Sequence, residues 1–374
     1  MRLSNLEKTQ SYMASRISEE LENNKVPQSI MFLGPKFSSR MTGAIELGLN
    51  LLNESNHFQD LDVSDLIILS SRNFALRLKA LRNLFSASRN KRSWDLLLRE
   101  TRIMLLSCHP ALSNSSDKDL FKAAAELSDV LLTYQDDMDD KTFDKFLSSY
   151  DKALASFFSS SKKKSGFTID QIRDVQAFLQ LESERGKVVI FENIEDVTVG
   201  AMNSLLKLLE EPMPGAHLIL ISQDQSRILD TILSRVRKYE FNELDSNLTS
   251  NFVMNNFYKK TNGTLEEFFY VQAGFDNNQL ISYVNSFFDT AFEKREKISY
   301  ENLNIINAFL DEFDTYPLFV KYLYEKVEKK ALLDRDVRAM KALKSLSNIF
   351  NDSTIYNQNK KIMIDRIERS LRNE

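Results

Sequence analysis

The fold is decided by residues 187–240, which read KVVIFENIEDVTVGAMNSLLKLLEEPMPGAHLILISQDQSRILDTILSRVRKYE. Two short apolar runs, 188–191 and 218–221, have the composition of strands that are buried on both faces of a parallel sheet. Between them, leucines recur at helical spacing until Pro212, which cannot continue a helix. The stretch therefore predicts a strand, a helix and a second strand, as in an α/β protein with a parallel sheet flanked by helices.

The composition limits the kind of protein this can be. A chain of 374 residues is long enough for two or three domains. Its net charge of -4 does not resemble that of a general nucleic-acid coat, so any DNA contact would need a local patch or partner subunits. The single cysteine, Cys108, excludes an internal disulfide, and no run resembles a signal peptide or a membrane span. We therefore expect a soluble, cytoplasmic protein with no membrane partner.

Two motifs in the opening stretch carry a family resemblance. Residues 203–212 read NSLLKLLEEP, and residues 231–236 read TILSRV. Their order and spacing resemble the clamp-loader family of AAA+ proteins, in particular the delta-prime subunits of bacterial DNA polymerase III. A third match is the helix predicted after Thr168, IDQIRDVQAFL, whose start is marked by a capping-box pattern of Thr168 and Gln171.

The resemblance implies a domain organisation. We expect an AAA+ nucleotide-binding-like domain over 1–242, an α-helical lid over 243–295 and an α-helical collar, or oligomerisation domain, over 296–374. A helical insertion at about 72–165 has no counterpart in the family pattern. Apolar residues recur at helical spacing in the last segment, but core packing alone would give the same stripes, so the collar role rests on the resemblance.

A phosphate-binding loop is expected after the strand predicted at 29–33, and the sequence there is degenerate. A working loop reads G-x-x-x-x-G-K-[ST], because backbone N–H groups wrap the phosphates, the lysine reaches the terminal ones and the hydroxyl holds magnesium. Residues 34–41 read GPKFSSRM, which keeps the first glycine and lacks the other required residues. The degenerate loop comprises Gly34, Pro35, Phe37, Ser39, Arg40 and Met41.

The acidic end of the strand at 188–191 is altered as well. Glu192 stands where the family's metal-organising aspartate belongs, and Asn193 stands where its water-activating glutamate belongs. An amide cannot accept a proton at neutral pH, so general-base hydrolysis is not expected. We predict no cofactor, no metal and no intrinsic activity in this chain. The alternative is that Arg40 with Thr42 rebuilds a working site.

Ser234 and Arg235 match the position of the family's arginine finger. Phosphoryl transfer builds up negative charge, which a guanidinium supplied by a neighbouring subunit stabilises. The resemblance therefore implies that Arg235 acts in trans on ATP and magnesium held by a neighbour. The alternative is that Arg235 or Arg237 makes only a surface ion pair.

The insertion changes the sign of its charge along the chain. Its first part, up to residue 102, is basic, and the part after Pro110 is acidic. The two parts either pair with each other and with solvent, or they form a docking surface for DNA or a replication protein. In the second case, reversing the charges of Arg82, Arg89 and Arg92 would weaken complex formation.

The resemblance finally implies a function. We expect a catalytically silent subunit of the bacterial DNA polymerase III holoenzyme, a nucleotidyltransferase assembly of DNA replication. Its partners would be gamma/tau-like and delta-like clamp-loader subunits in a hetero-oligomeric ring and, through that complex, the sliding clamp and primed DNA. Two alternatives stay open: an inactive AAA+ scaffold of another DNA-maintenance complex, and an ATP-hydrolysing gamma/tau-like motor subunit.

Overall fold

The computed structural model describes residues 3–112, 118–161, 167–313, 315–333, 335–355 and 359–372. The chain forms two compact units, residues 1–273 and 274–374. The boundary between them falls inside the segment 243–295 that the sequence predicts as a lid, and the predicted domain boundaries stay predictions. The end of the predicted insertion, from residue 162 onward, lies outside the described residues.

The first unit is built on a parallel sheet. Its strands are β1 (Ser29–Leu33), β2 (Leu66–Ser70), β3 (Lys187–Glu192), β4 (Ala216–Ser222) and β5 (Arg237–Glu240). They form a five-stranded sheet in the order β2-β3-β4-β1-β5, and every neighbouring pair is parallel. The strands predicted at 29–33, 188–191 and 218–221 are therefore confirmed, and with them the α/β fold class.

Helices pack on both faces of this sheet. The helices of the first unit are α1 (Ser4–Glu7), α2 (Ser11–Glu22), α3 (Arg40–Leu51), α4 (Phe74–Ser88), α5 (Lys91–Leu106), α6 (Lys118–Leu132), α7 (Asp140–Ser160), α8 (Ile169–Gln180), α9 (Val199–Glu210), α10 (Asp230–Leu233), α11 (Ser246–Phe257) and α12 (Leu265–Gln272). Successive side chains of a strand point to opposite faces. Val188 and Ile190 accordingly join a core with α2 and α3, whereas Val189 and Phe191 join a core with α8 and α9. Because both faces are buried, the strand is apolar without interruption.

Helices α4 to α7 form the insertion between β2 and α8. Its core is rich in aromatic rings, among them Phe85, Trp94, Tyr134, Phe143 and Phe146. On its surface, Arg82 Nη2 lies 2.6 Å from Asp151 Oδ2, and Arg89 contacts Asp140. The alternative in which the basic and acidic parts pair with each other is therefore confirmed for these two arginines.

The insertion also packs against helices that follow the sheet in the chain. Helix α4 lies against α12, and Asn83 Nδ2 donates to the Gln272 carbonyl at 2.9 Å. At the start of α5, Asn90 Nδ2 donates to the Asn256 carbonyl at 3.0 Å, and Arg92 Nη1 donates to another carbonyl of α11 at 3.2 Å. These contacts hold α11 and α12 to the insertion, so that both belong to the first unit.

The second unit contains helices and no strand among its described residues. Its helices are α13 (Asn277–Phe288), α14 (Tyr300–Phe313), α15 (Tyr316–Leu333), α16 (Val337–Ile355) and α17 (Lys360–Arg372). In its core, the rings of Phe287 and Phe319 meet edge to face with centroids 5.3 Å apart. Glu368 is almost completely buried, where it pairs with Arg372 at 3.0 Å. The helical pattern predicted for this segment is confirmed, whereas the lid and collar roles stay predictions.

Membrane spans and metal-binding clusters are both absent from the described residues. No helix among them is long and apolar enough to cross a membrane. Nor do they contain a group of three or more His, Cys, Asp or Glu side chains that could hold a metal ion. The cytoplasmic location and the lack of a metal stay predictions.

Candidate functional site

The degenerate loop connects β1 to α3 and is tightly folded. A β-carbon added at Gly34 would lie 2.4 Å from the carbonyl oxygen of Phe241, so no side chain fits at this position. Phe37 and Ser39 have φ angles of 58° and 68°, in the left-handed region that favours glycine. The loop therefore has a glycine-like backbone at two positions where its residues are Phe and Ser.

The side chain of Phe37 connects this loop to α12. Its ring stacks on Phe269 with centroids 5.6 Å apart and planes inclined by 15°. The Arg77 guanidinium of α4 lies 5.0 Å from the Phe37 ring centroid. Beside them, Lys36 Nζ lies 3.0 Å from Glu266 Oε1. Side chains of α4 and α12 therefore contact the loop, and its one lysine is held in an ion pair.

Arg40, which takes the place of the family's lysine, is turned into the protein. The residue is 6% exposed, and its Nη1 donates to the Ser222 carbonyl at the end of β4. Burial lowers the pKa of Arg40, although the nearby carboxylates of Glu192 and Glu195 oppose that effect. Met41 packs against the core on the α3 side of the sheet. The two positions that serve phosphate and magnesium in a working loop thus make internal contacts here.

The carboxylate of Glu192, at the end of β3, is neutralised within the chain. It accepts hydrogen bonds from Arg72 Nε at 2.6 Å and from Ser70 Oγ at 2.5 Å. Arg72 Nη1 also donates to Glu100 at 2.8 Å, and Arg77 Nε donates to the same Glu100 oxygen at 2.6 Å. Burial alone would raise the pKa of Glu100, but the two guanidinium groups hold it down at about 2.

Asn193 follows in the left-handed conformation with φ of 56°. Its Nδ2 donates to Ser71 Oγ at 3.2 Å, and its Oδ1 accepts from Gln223 Nε2 at 3.3 Å. Both ends of the amide therefore have a partner within the chain. These hydrogen bonds orient Asn193 but give it no capacity to take a proton from water.

The sequence reasoning missed Arg72, Arg77 and Glu100. A signal for Arg72 existed in the strand register, because Ser70 of β2 pairs with Glu192 of β3. A residue just beyond Ser70 therefore lies beside the acidic strand end. Glu100 has no such signal, because it reaches Arg72 from α5, 28 residues further along the chain.

Arg235, the residue at the position of the finger, follows α10. Its Nη2 lies 2.6 Å from Glu210 Oε1, and the two side chains are 34% and 46% exposed. Its Nη1 donates to the Thr231 carbonyl at 2.7 Å. Ser234 Oγ lies 3.3 Å from the same Nη1 as an acceptor. Arg235 therefore makes a surface ion pair and keeps a third of its side chain exposed.

Arg237 forms its ion pair with a different element, helix α2. It is part of β5, and its Nη1 lies 3.2 Å from Glu20 Oε2 of α2. The Tyr239 hydroxyl donates to the same carboxylate. Ion pairs thus exist at both arginines, as the alternative stated.

Comparison with known proteins shows what the middle of the chain is similar to. The family model described as "DNA polymerase III, delta subunit" matches residues 98–245. The delta-prime subunit of DNA polymerase III from Pseudomonas aeruginosa is 46% identical over 69 residues, which is 18% of this chain and 21% of that protein. Both of these matches are to subunits of DNA polymerase III. The tau subunit from Bacillus subtilis is 32% identical over 80 residues, which is 21% of this chain and 14% of that protein.

The matched segment is short compared with the relatives. The chain spans about a fifth of the length of the delta-prime relative. Among solved structures, a gamma subunit-related protein from Thermotoga maritima is 13% identical, and the match covers 96% of this chain and 98% of that chain with a TM-score of 0.37, a value too low to establish a shared fold. The resemblance to the clamp-loader family is confirmed for a region that contains Glu192 and Arg235 but not the loop at 34–41.

Proposed function

We propose that this chain is a catalytically silent, delta-prime-like subunit of the DNA polymerase III clamp loader, which supports ATP-dependent loading of the sliding clamp onto primed DNA. One observation carries the proposal. The loop residues are engaged with their own chain, whereas Arg235 stays partly exposed. The family match over residues 98–245 supports the same assignment. A subunit of this kind contributes to the chemistry of its neighbour.

The contacts of the loop support the lack of ATP hydrolysis. Arg40 donates into the protein, and Met41 has no hydroxyl for magnesium. Glu192, at the family's metal-organising position, is occupied by Arg72, and Asn193 cannot act as a general base. In this proposal the chain binds no cofactor, and the neighbouring gamma/tau-like subunits hold ATP and magnesium.

Arg235 is the proposed arginine finger. A guanidinium supplied in trans stabilises the charge of phosphoryl transfer and is worth about 10³- to 10⁵-fold in rate. A third of its side chain is exposed, so the guanidinium can reach a neighbour's phosphate when its ion pair opens. The proposed partners are gamma/tau-like and delta-like subunits in a ring, with the sliding clamp and primed DNA reached through the complex.

The test is ATP hydrolysis by a complex of this chain with its host's candidate motor, delta-like and clamp subunits on primed DNA. We expect hydrolysis to require the chain and Arg235→Ala to slow it at the neighbouring site by about 10³-fold or more. Arg237→Ala is the matched control, because Arg237 is an exposed arginine whose ion pair is with Glu20. Turnover that is indifferent to the chain and to Arg235→Ala would contradict the proposal and favour the inactive scaffold.

A separate measurement tests catalytic silence. ATP with magnesium is titrated into the purified chain in a calorimeter, and we expect no heat of binding. The physical reason is that Arg40 and Glu192 are engaged with Ser222 and Arg72. Tight ATP binding would contradict the proposal and favour the motor subunit.

A further inference from the structure

Glu210 is the last residue of α9 and contacts the proposed finger. Its Oε1 lies 2.6 Å from Arg235 Nη2, and both side chains are partly exposed. The C-terminal end of a helix carries the negative pole of the backbone dipole, so a carboxylate in the last turn is unfavourable unless a cation compensates for it. Arg235 is such a cation. The contact with Arg235 thus compensates for the unfavourable position of the Glu210 carboxylate at the end of α9.

We propose that Glu210 is a positioning residue for Arg235. Its carboxylate restrains the guanidinium and competes for it with the negative charge that builds up on the neighbour's phosphoryl group in the transition state. This inference rests on the proposed function, in which Arg235 acts in trans.

The two anchors of the guanidinium differ in charge. The Thr231 carbonyl, 2.7 Å from Nη1, fixes the side chain and leaves its charge intact. Glu210 adds a negative charge at 2.6 Å from Nη2, and this charge weakens the attraction of Arg235 for a second anion. Replacing Glu210 with glutamine removes that charge and leaves the Thr231 anchor in place.

The exposure of the Glu210–Arg235 pair determines how strongly Glu210 holds the guanidinium. Ion pairs at this level of exposure open readily, and breaking one changes an equilibrium by a factor of about 1.5 to 5. Arg72 offers a contrast, because it contacts both Glu192 and Glu100 and is 9% exposed. Glu210 can therefore lower the rate that Arg235 supports, but it does not prevent Arg235 from contacting the neighbour's phosphate.

The test compares Glu210→Gln with Glu211→Gln in the assembled complex, and single-turnover ATP hydrolysis is the readout. Glu211 is the exposed next residue, so its variant carries the same change of charge at a neighbouring position. We expect Glu210→Gln to raise the rate constant at saturating ATP about 1.5- to 5-fold. The half-saturating ATP concentration should not change, because the finger acts in the transition state. Glu211→Gln should match the wild type.

The Arg235→Ala background separates this inference from the proposed function. There, Glu210→Gln should have no further effect. The inference would be overturned if Glu210→Gln still raised the rate constant in the absence of Arg235. It would also be overturned if Glu210→Gln left the rate constant unchanged or lower while Arg235→Ala caused a large loss. The last result would leave the finger in place. No loss in Arg235→Ala would overturn both the inference and the proposed function.

Discussion

Arg72 and Arg235 both contact carboxylates, but in opposite surroundings. Arg72 is 9% exposed and contacts Glu192 and Glu100 together, whereas Arg235 is 34% exposed and pairs with Glu210. Burial with two carboxylates makes the first guanidinium a fixed part of the structure, because opening it would leave charges buried without partners. The Arg235 guanidinium is partly exposed and has one carboxylate partner, so it can exchange that partner for another. The same type of side chain is thus a fixed internal contact in one region of the molecule and a surface group that can change partners in another.

The largest expected effect comes from the buried partner. Glu100→Gln should lower the free energy of unfolding by about 3–5 kcal/mol, because Arg72 and Arg77 would lose a buried charge partner. Urea unfolding followed by the fluorescence of Trp94, the one tryptophan of the chain, measures this loss within the insertion. Glu210→Gln is the control, with an expected loss of at most about 1 kcal/mol. Equal losses in the two variants would break the comparison between buried and exposed pairs.

The second effect depends on pH. The pKa of Glu100 is about 2 in the folded chain and 4.5 ordinarily, so folding favours the charged carboxylate. The corresponding stabilisation of about 3 kcal/mol is fully present above about pH 4.5 and is lost as the pH falls toward 2. Urea unfolding at about pH 6 and about pH 3 should show the stability gap between the wild type and Glu100→Gln shrinking at the lower pH. An equal gap at both values would contradict the assignment of this pKa to Glu100.

The smallest effect concerns the ring that connects the loop to α12. A double-mutant cycle with Phe37→Leu and Phe269→Leu should give a coupling free energy of about 0.5–1.5 kcal/mol for the stacked pair. Unfolding in urea provides the four stabilities. The Glu210–Arg235 pair, treated in the same way, should couple by about 0.2–1 kcal/mol. A coupling near zero for the rings would mean that the stacking of Phe37 on Phe269 does not stabilise the fold.

Local sequence patterns predicted the framework of the first unit. The apolar runs at 188–191 and 218–221 lie in β3 and β4, because a strand buried on both faces has an apolar sequence that is visible without its neighbours. The capping box is also confirmed, with Thr168 N donating to Gln171 Oε1 at 3.0 Å and Gln171 N donating to Thr168 Oγ1 at 3.3 Å. Both patterns are contained in a few consecutive residues.

The partners of the site residues could not be predicted in this way. Arg235 was found through the family motif, but its contact with Glu210 depends on how α10 packs against α9. Phe37 was predicted as part of the degenerate loop, but its stack on Phe269 joins residues of distant segments. Such pairs are set by tertiary packing, and a single sequence carries no local signal for them.

The contact of α4 with α12 has a consequence for how the chain is made. Asn83 and Gln272, which join the two helices, are 189 residues apart in sequence. A ribosome adds about 5–20 residues per second, so α4 leaves it roughly 10–40 s before α12 exists. During that interval the surface of α4 that α12 will cover is open to water and to other nascent chains. The first unit can therefore complete its native contacts only late in synthesis, once α12 has left the ribosome.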